Sequence, residues 1–318
     1  MEAREPAFFV IHPDGLHLYS CTSGEPGGVA AYDIDPRTGG LTLLNRALAG
    51  GGDTSFISLD GTGRYALAAN YQGGSIAVFA LRPDGAIGDW TAFVQQSGTG
   101  VNPARQAHAY AHSIITDPSN RFALVADLGA DKVFVYRFDR RDGSVNANEP
   151  AFASIAPGSG PRHVRFHPSG RWVYVVSEMA STVTGMNWDE STGALSAFQT
   201  ISILPPGFAG TSTAAEIEVH PNGRFLYASN RGDDSIAAFS VDPATGRLSL
   251  VGHVASGGRT PRNFALDPTG RWIICSNQDS DNAVVFRVDE ATGRLTQVGK
   301  PVSLPSPFCE RFLPVLSR

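Results

Sequence analysis

The chain is short of cysteine, of charge in large excess of one sign and of long apolar runs, and each shortage removes a class of function. Cys21, Cys275 and Cys309 are odd in number, far apart and without a CxxC pair. A disulfide framework or cysteine zinc site is therefore not the organising device, and buried, reduced thiols are expected. No apolar run approaches the roughly 18 residues that span a bilayer. The formal charge of -5 supplies no basic footprint for nucleic acid. The opening MEAREPAFF lacks the charged-then-apolar layout of a signal peptide. The expectation is a cytoplasmic monomer with no nucleic-acid or membrane partner and a small molecule as its ligand. Helical periodicity is also missing beyond a few residues.

Turns and short strands fill the space left. Of 318 residues, 35 are Gly and 21 Pro, with 42% hydrophobic and 17% charged, a composition that suits many short strands. Six segments repeat an apolar strand, a His/Asp turn and a second apolar strand: FFVIHPDGLHLYS, FISLDGTGRYALAAN, SIITDPSNRFALVAD, HVRFHPSGRWVYVVS, EIEVHPNGRFLYASN and NFALDPTGRWIICSN. A third strand follows each, such as GSIAVFAL or NAVVFRVDE, then a Gly turn and a weaker fourth strand such as LTLLNRAL. Four strands per period of about 47 to 58 residues is the pattern of propeller blades. The fold class is therefore all-β, with residues 1–318 read as one β-propeller domain. The tail PFCERFL resembles the first strand of a further blade, Phe308 to Leu313. The expectation is a seven-bladed ring lacking roughly 40 N-terminal residues of its closing blade; a six-bladed ring with a loose tail is the alternative.

The repeat separates scaffold from site. Aligned on His12, Asp60, Asp117, His167, His220 and Asp267, the Gly-Arg turn and the aromatic residue after it recur almost throughout. Those histidines and the turn arginines Arg64, Arg121, Arg171, Arg224 and Arg271 read as structural. Four rows diverge instead. Five positions before the turn residue stand Ala7, Ser55, His112, Arg162, Ala215 and Arg262; one later, Phe8, Phe56, Ser113, His163, Glu216 and Asn263. After the second strand come Thr22, Asn70, Asp127, Ser177, Asn230 and Asn277, then Ser23, Tyr71, Leu128, Glu178, Arg231 and Gln278. Hairpin pairing gathers these rows at one end of the inner strands, where a propeller channel opens. His112, Arg162, His163, Glu178, Glu216, Arg231, Arg262, Asn277 and Gln278 are expected to line a pocket there. A scaffold reading makes them cross-blade ion pairs, Glu178 with Arg162 and Glu216 with Arg231. Two inserts, GTGVNPARQAHAYAH and LPPGFAGTSTAAE, are expected over the same face. Acidic stretches at Asp233-Asp234 and from Asp279 to Asn282 read as solvated turns rather than calcium ligands.

RQAHAYAHSIITDPSNRFALVADLGADKVFVY, GPRHVRFHPSGRWVYVVSE, AAEIEVHPNGRFLYASNRGDDSI and PRNFALDPTGRWIICSNQ together resemble the β-propeller lactonase family. It contains bacterial propeller-type 6-phosphogluconolactonases and fungal 3-carboxy-cis,cis-muconate lactonizing enzymes. The resemblance covers nearly the whole chain and implies seven blades. It places catalytic roles on His112, Arg162, Glu178 and Arg231. His163, Glu216, Arg262, Asn277, Gln278, Tyr110 and Asp127 are the expected substrate-binding residues. One departure is local: Tyr110 stands where the family has the first His of its HxH, and His108 is out of register. The implied reaction is hydrolysis of 6-phospho-D-glucono-1,5-lactone by general acid/base catalysis, with no metal or cofactor required. Glu178 or His112 serves as base, and Arg162, Arg231 and Arg262 hold the oxyanion and phosphate. Two rival readings stand beside it. One is lactonization of a muconate-type dicarboxylate. The other is a non-catalytic peptide-binding scaffold, although no Gly-His…Trp-Asp signature recurs.

Overall fold

The computed structural model describes residues 6–313. They form six four-stranded antiparallel sheets, spanning 6–48, 54–95, 111–154, 161–202, 213–255 and 261–303, plus a 3-10 turn at Gln278–Ser280. Every sheet is a meander in which strands pair in chain order. No helix among the described residues is long and apolar enough to cross a membrane.

The chain divides into two compact units. One holds the first three sheets, up to Pro157, with Ser191–Ala194 and Leu313; the other holds Gly158–Glu190 and Leu195–Phe312. In each, apolar content falls from the inner strands outward. The second strands Tyr65–Asn70, Phe122–Asp127 and Trp172–Ser177 are buried along their whole length. Fourth strands such as Leu41–Leu48 and Ala194–Ser202 are mostly half-buried or exposed. Burial on both faces follows from face-to-face packing. In the second unit Tyr174, Val176 and Val183 share one core with Ile217, Leu226 and Phe239. The other face of that middle sheet packs Tyr227 and Ile236 on Phe264, Ile273 and Phe286.

The repeated turn ties neighbouring sheets together. His12, His167 and His220 each hold, through Nε2, the carbonyl of a glycine in the next sheet: Gly63 at 3.0 Å, Gly223 at 2.8 Å and Gly270 at 2.9 Å. Where the turn carries Asp, the carboxylate folds back on its own hairpin, as Asp60 Oδ1 does in accepting from Arg64 N and Tyr65 N at 2.9 Å each. Tyrosines add a second tie: the hydroxyls of Tyr19, Tyr174 and Tyr227 donate to Gly85, Gly246 and Gly293 carbonyls at 2.9, 2.7 and 3.0 Å. Buried phenols need such partners.

Each first strand also carries a β-bulge. Pro161 pairs with Ser177 and His163 with Val176, leaving Arg162 as the extra residue. Ala7, Ser55, His112 and Arg262 occupy the same bulge position in their sheets, and in the fifth sheet it widens to include Ala215 and Glu216. A bulge bends its strand and re-aims a side chain, so the most divergent row of the repeat coincides with the one irregular backbone position.

Six complete sheets are present among the described residues, matching the six full blades expected, and no seventh is among them. The expected strand of a further blade is corrected. The stretch from Phe308 to Leu313 forms no strand; it packs by side chains and backbone against the sixth sheet.

Candidate active site

The second unit brings Arg162, Glu178 and Arg231 together. Glu178 follows the strand Trp172–Ser177 and is held by its backbone, N donating to Gly160 O at 2.7 Å and O accepting from Ala214 N at 3.0 Å. Its Oε2 lies 3.2 Å from Arg162 Nε and 2.9 Å from Arg231 Nη2. Each guanidinium is also pinned by a carbonyl of the fifth sheet: Arg162 Nη1 donates to Ala215 O at 2.6 Å and Arg231 Nη2 to Ala214 O at 2.8 Å. The Nε–H groups of both arginines are buried and make no hydrogen bond. Arg162 Nε is at ion-pair distance from Glu178 but misaligned for donation. Two shielded cationic donors without acceptors are costly by about 1–3 kcal/mol each.

Behind this triad lies a network that fixes Arg162. Burial first, then Arg162, Arg165, Arg311 and Arg262, push the His163 pKa well below 6.5, so its imidazole is neutral. His163 Nδ1–H donates to Glu216 Oε1 at 2.8 Å, leaving Nε2 to accept from Arg162 Nη1 at 3.3 Å. Glu216 is fully buried and also accepts from Arg165 Nη2 at 3.1 Å, its neighbour Ile217 N at 3.0 Å and Asn263 Nδ2 at 2.5 Å. Burial opposes the charge on Arg165, but Glu218 and Glu216 outweigh it and hold its pKa up. For Arg162, burial followed by the like charges of Arg231 and Arg262 pushes the pKa down to about 9, against Glu178 and Glu216. It remains a cation at neutral pH.

The segment after the sixth sheet joins the same cluster. Asn263 Oδ1 accepts from Glu310 N at 2.9 Å and Arg311 Nη1 at 3.3 Å, and Ser276 Oγ donates to Glu310 Oε1 at 2.8 Å. The Arg262 guanidinium sits 4.3 Å from the centre of the Phe308 ring, a cation–π distance.

In the first unit, His112 is buried on its bulge, with its ring edge-on to Tyr71 at 5.4 Å. Tyr110 is sandwiched, 5.0 Å from Tyr71 and 4.0 Å from the stacked ring of His108. Asp127 anchors this loop, its Oδ1 accepting from Tyr110 N and Ala130 N at 2.9 Å each. Burial raises its pKa against those bonds, and Oδ2 has no hydrogen-bond partner.

Several expectations change. Of the two ion pairs expected, Glu178 with Arg162 is present; Arg231 pairs with Glu178, and Glu216 turns to His163 and Arg165. Asn277 is fully buried and donates to Ser256 O at 3.1 Å. The matching residues Asn70 and Asn230 hold Ala49 O at 2.9 Å and Ile203 O at 2.7 Å. That repeated bond gives Asn277 a scaffold role in its sheet. Gln278 is half-buried on the 3-10 turn, its backbone N bound to Thr260 O at 3.0 Å. Arg165, Glu218, Glu310 and Arg311 were not anticipated. Arg165 and Glu218 lie two residues beyond His163 and Glu216, on the same strand face, and their charge within otherwise apolar strands was the available signal. Cys21 and Cys275 are buried, and none of the three cysteines forms a disulfide; burial pushes the Cys275 thiol pKa up.

Residues 1–312 match the family model described as "Lactonase, 7-bladed beta-propeller". The chain is similar to the 6-phosphogluconolactonase of Bacillus subtilis strain 168, at 36% identity over 81% of this chain and 73% of that one. It is also similar to the 6-phosphogluconolactonase of Formosa agariphila, at 32% identity over 81% and 74%. Among solved structures, the periplasmic gluconolactonase of Pseudomonas aeruginosa superposes with a TM-score of 0.90 at 33% identity, over 98% of this chain and 89% of that one.

Proposed function

We propose that this chain, which belongs to the lactonase family of β-propellers, opens 6-phospho-D-glucono-1,5-lactone to 6-phosphogluconate. Its fold is an all-β propeller of four-stranded antiparallel blades, and it is a hydrolase of lactone esters. The names of its 6-phosphogluconolactonase relatives support the choice of substrate. The observation that carries the mechanism is the convergence of Arg162 and Arg231 on one carboxylate with their Nε–H donors unused.

Water adds to the lactone carbonyl carbon, its proton passes to a base, and the carbonyl oxygen becomes an oxyanion. The ring C–O bond then breaks, and the leaving alkoxide takes a proton. Arg162 and Arg231 receive the oxyanion as paired cationic donors. Glu178 Oε2 is committed to both arginines, so a proton placed there would weaken both pairs. Glu178 therefore orients the guanidiniums, and the family resemblance names His112 as the other candidate for the base. Arg262 and Arg311 add the positive charge that a 6-phosphate requires. His163, Glu216 and Asn263 are positioning residues that hold Arg162 on its bulge.

The finer parts of the proposal are a cytoplasmic location, supported by three cysteines without a disulfide, a monomeric state, and the seven blades of the family's description.

Arg162→Ala and Glu178→Ala should each lower lactonase kcat/KM by about two orders of magnitude or more, with melting curves showing that the variants are folded. Wild-type-like rates in folded variants would remove these residues from the site. Lactones with and without a 6-phosphate should separate by KM. A carboxymuconate should show no loss of diene absorbance; its loss would favour lactonization.

A further inference from the structure

We propose that the turn of the first hairpin binds a divalent transition-metal ion of the zinc class through His12 Nδ1, Asp14 Oδ2 and His17 Nδ1. These ligand atoms all lie within 4.8 Å of one another. Asp14 Oδ2 is 2.9 Å from His12 Nδ1 and 2.7 Å from His17 Nδ1. The turn lies at the opposite end of its hairpin from the row that carries the candidate active site.

The repeat shows that this set is additional to the scaffold. In the other five hairpins the position of Asp14 is Thr62, Ser119, Ser169, Asn222 or Thr269, and that of His17 is Tyr65, Phe122, Trp172, Phe225 or Trp272. The first hairpin alone replaces a neutral hydrogen-bonding residue with a carboxylate and an aromatic ring with an imidazole. His17 still fills the aromatic's place over a glycine of the next sheet, Gly85, as Trp172 does over Gly246.

The hydrogen bonds present both imidazoles as ligands. His12 Nε2–H donates to Gly63 O at 3.0 Å, the scaffold bond shared with His167 and His220. That bond leaves Nδ1 facing Asp14 N at 3.3 Å and the Asp14 carboxylate oxygen at 2.9 Å. Two close acceptors need a positive centre between them, which a proton or a metal ion supplies. His17 Nε2 lies 3.4 Å from Asp33 Oδ1, its Nδ1 toward Asp14. Each histidine therefore has an acceptor behind it, a carbonyl or a carboxylate, the arrangement that orients metal-bound imidazoles. Asp14 Oδ1 is fixed by Leu16 N at 2.7 Å and His17 N at 3.2 Å, leaving Oδ2 as the ligand.

Two imidazole nitrogens and one carboxylate oxygen suit Zn²⁺, Co²⁺ or Ni²⁺ over Mg²⁺ or Ca²⁺. Bonds of about 2.0–2.2 Å to a tetrahedral ion require the ligand atoms to part by roughly half an ångström. Side chains 17% to 32% exposed have that freedom and leave a path for entry. The bound ion would brace the turn and take no part in lactone opening.

The test is titration of the full-length protein with Zn²⁺ by calorimetry and with Co²⁺ by visible absorbance. The control, Asp14→Ser with His17→Phe, imports residues that the other hairpins carry at these positions. Wild type should bind about one equivalent more tightly than the control by at least tenfold, with a cobalt d–d band absent from the control. Saturating Zn²⁺ should raise the wild-type melting temperature by roughly 5 °C and leave the control's unchanged, while both hydrolyse lactone equally. Equal binding by wild type and control, or binding by neither, overturns the proposal. Should the double variant melt far below wild type, Asp14→Ser alone replaces it, with the same outcomes read.

Discussion

At the scale of single residues the site depends on what a guanidinium can do that an ammonium cannot. Arg162 donates to Ala215 O and His163 Nε2 through Nη1 while its Nε faces Glu178. A lysine has one compact charge and cannot span those partners and still present a planar donor. Arg162→Lys should therefore lose about two orders of magnitude in kcat/KM despite keeping the charge, and a variant within a factor of a few of wild type would refute the bidentate argument. Asn277 makes the opposite case. Because its amide holds Ser256 O in the manner of Asn70 and Asn230, Asn277→Ala should lower unfolding free energy by about 1–2 kcal/mol and leave KM unchanged. A raised KM at unchanged stability would return Asn277 to the substrate.

At the scale of elements, the four-strand period, the scaffold role of the turn histidines and the pairing of Glu178 with Arg162 were all legible in the sequence, because a repeat exposes what every copy shares. The bulge was not. The row Ala7, Ser55, His112, Arg162, Ala215 and Arg262 stands out for its chemistry, but the extra residue that turns Arg162 toward Glu178 leaves no mark in composition, since a one-residue register shift needs no special side chain. The same blindness paired Glu216 with Arg231, whereas the widened bulge at Ala215–Glu216 sets Glu216 against His163 and Arg165. The tail misled for a different reason: PFCERFL has strand-like composition, yet its polar atoms bind Asn263 and Ser276 side chains rather than a strand edge. What joins the sheets is more predictable. Tyr174→Phe deletes a buried bond of 2.7 Å to Gly246 O without opening a cavity, and should cost about 0.5–1.5 kcal/mol in urea unfolding with kcat/KM retained. No change in midpoint would mean that this tie is dispensable.

At the scale of the whole molecule these local networks set the response to acid, in two stages. The His163 pKa is well below 6.5 in the folded state, chiefly by burial, and that of His167 is lowered by burial against its bond to Gly223. As pH falls through the unfolded value of about 6.5, the unfolded chain binds protons that the folded chain refuses. Stability therefore declines from that point, by up to about 1.4 kcal/mol per pH unit for each such group. The second stage comes from carboxylates such as Asp60 and Asp267. Burial opposes their charge, but their own turns and, for Asp60, Asn120 outweigh it and keep their pKa below 3.8. Their contribution is complete above the unfolded value and is lost as pH falls below about 4. His163→Asn removes one titrating group and keeps an amide donor for Glu216, copying Asn263, which holds the same row position in the sixth sheet. Melting temperatures at pH 7.5, 5.5 and 3.5 should show the variant losing less than wild type over the first interval and the same over the second. Parallel curves across both intervals would mean that His163 is charged in the folded protein, and with it the neutral link between Glu216 and Arg162 would be lost.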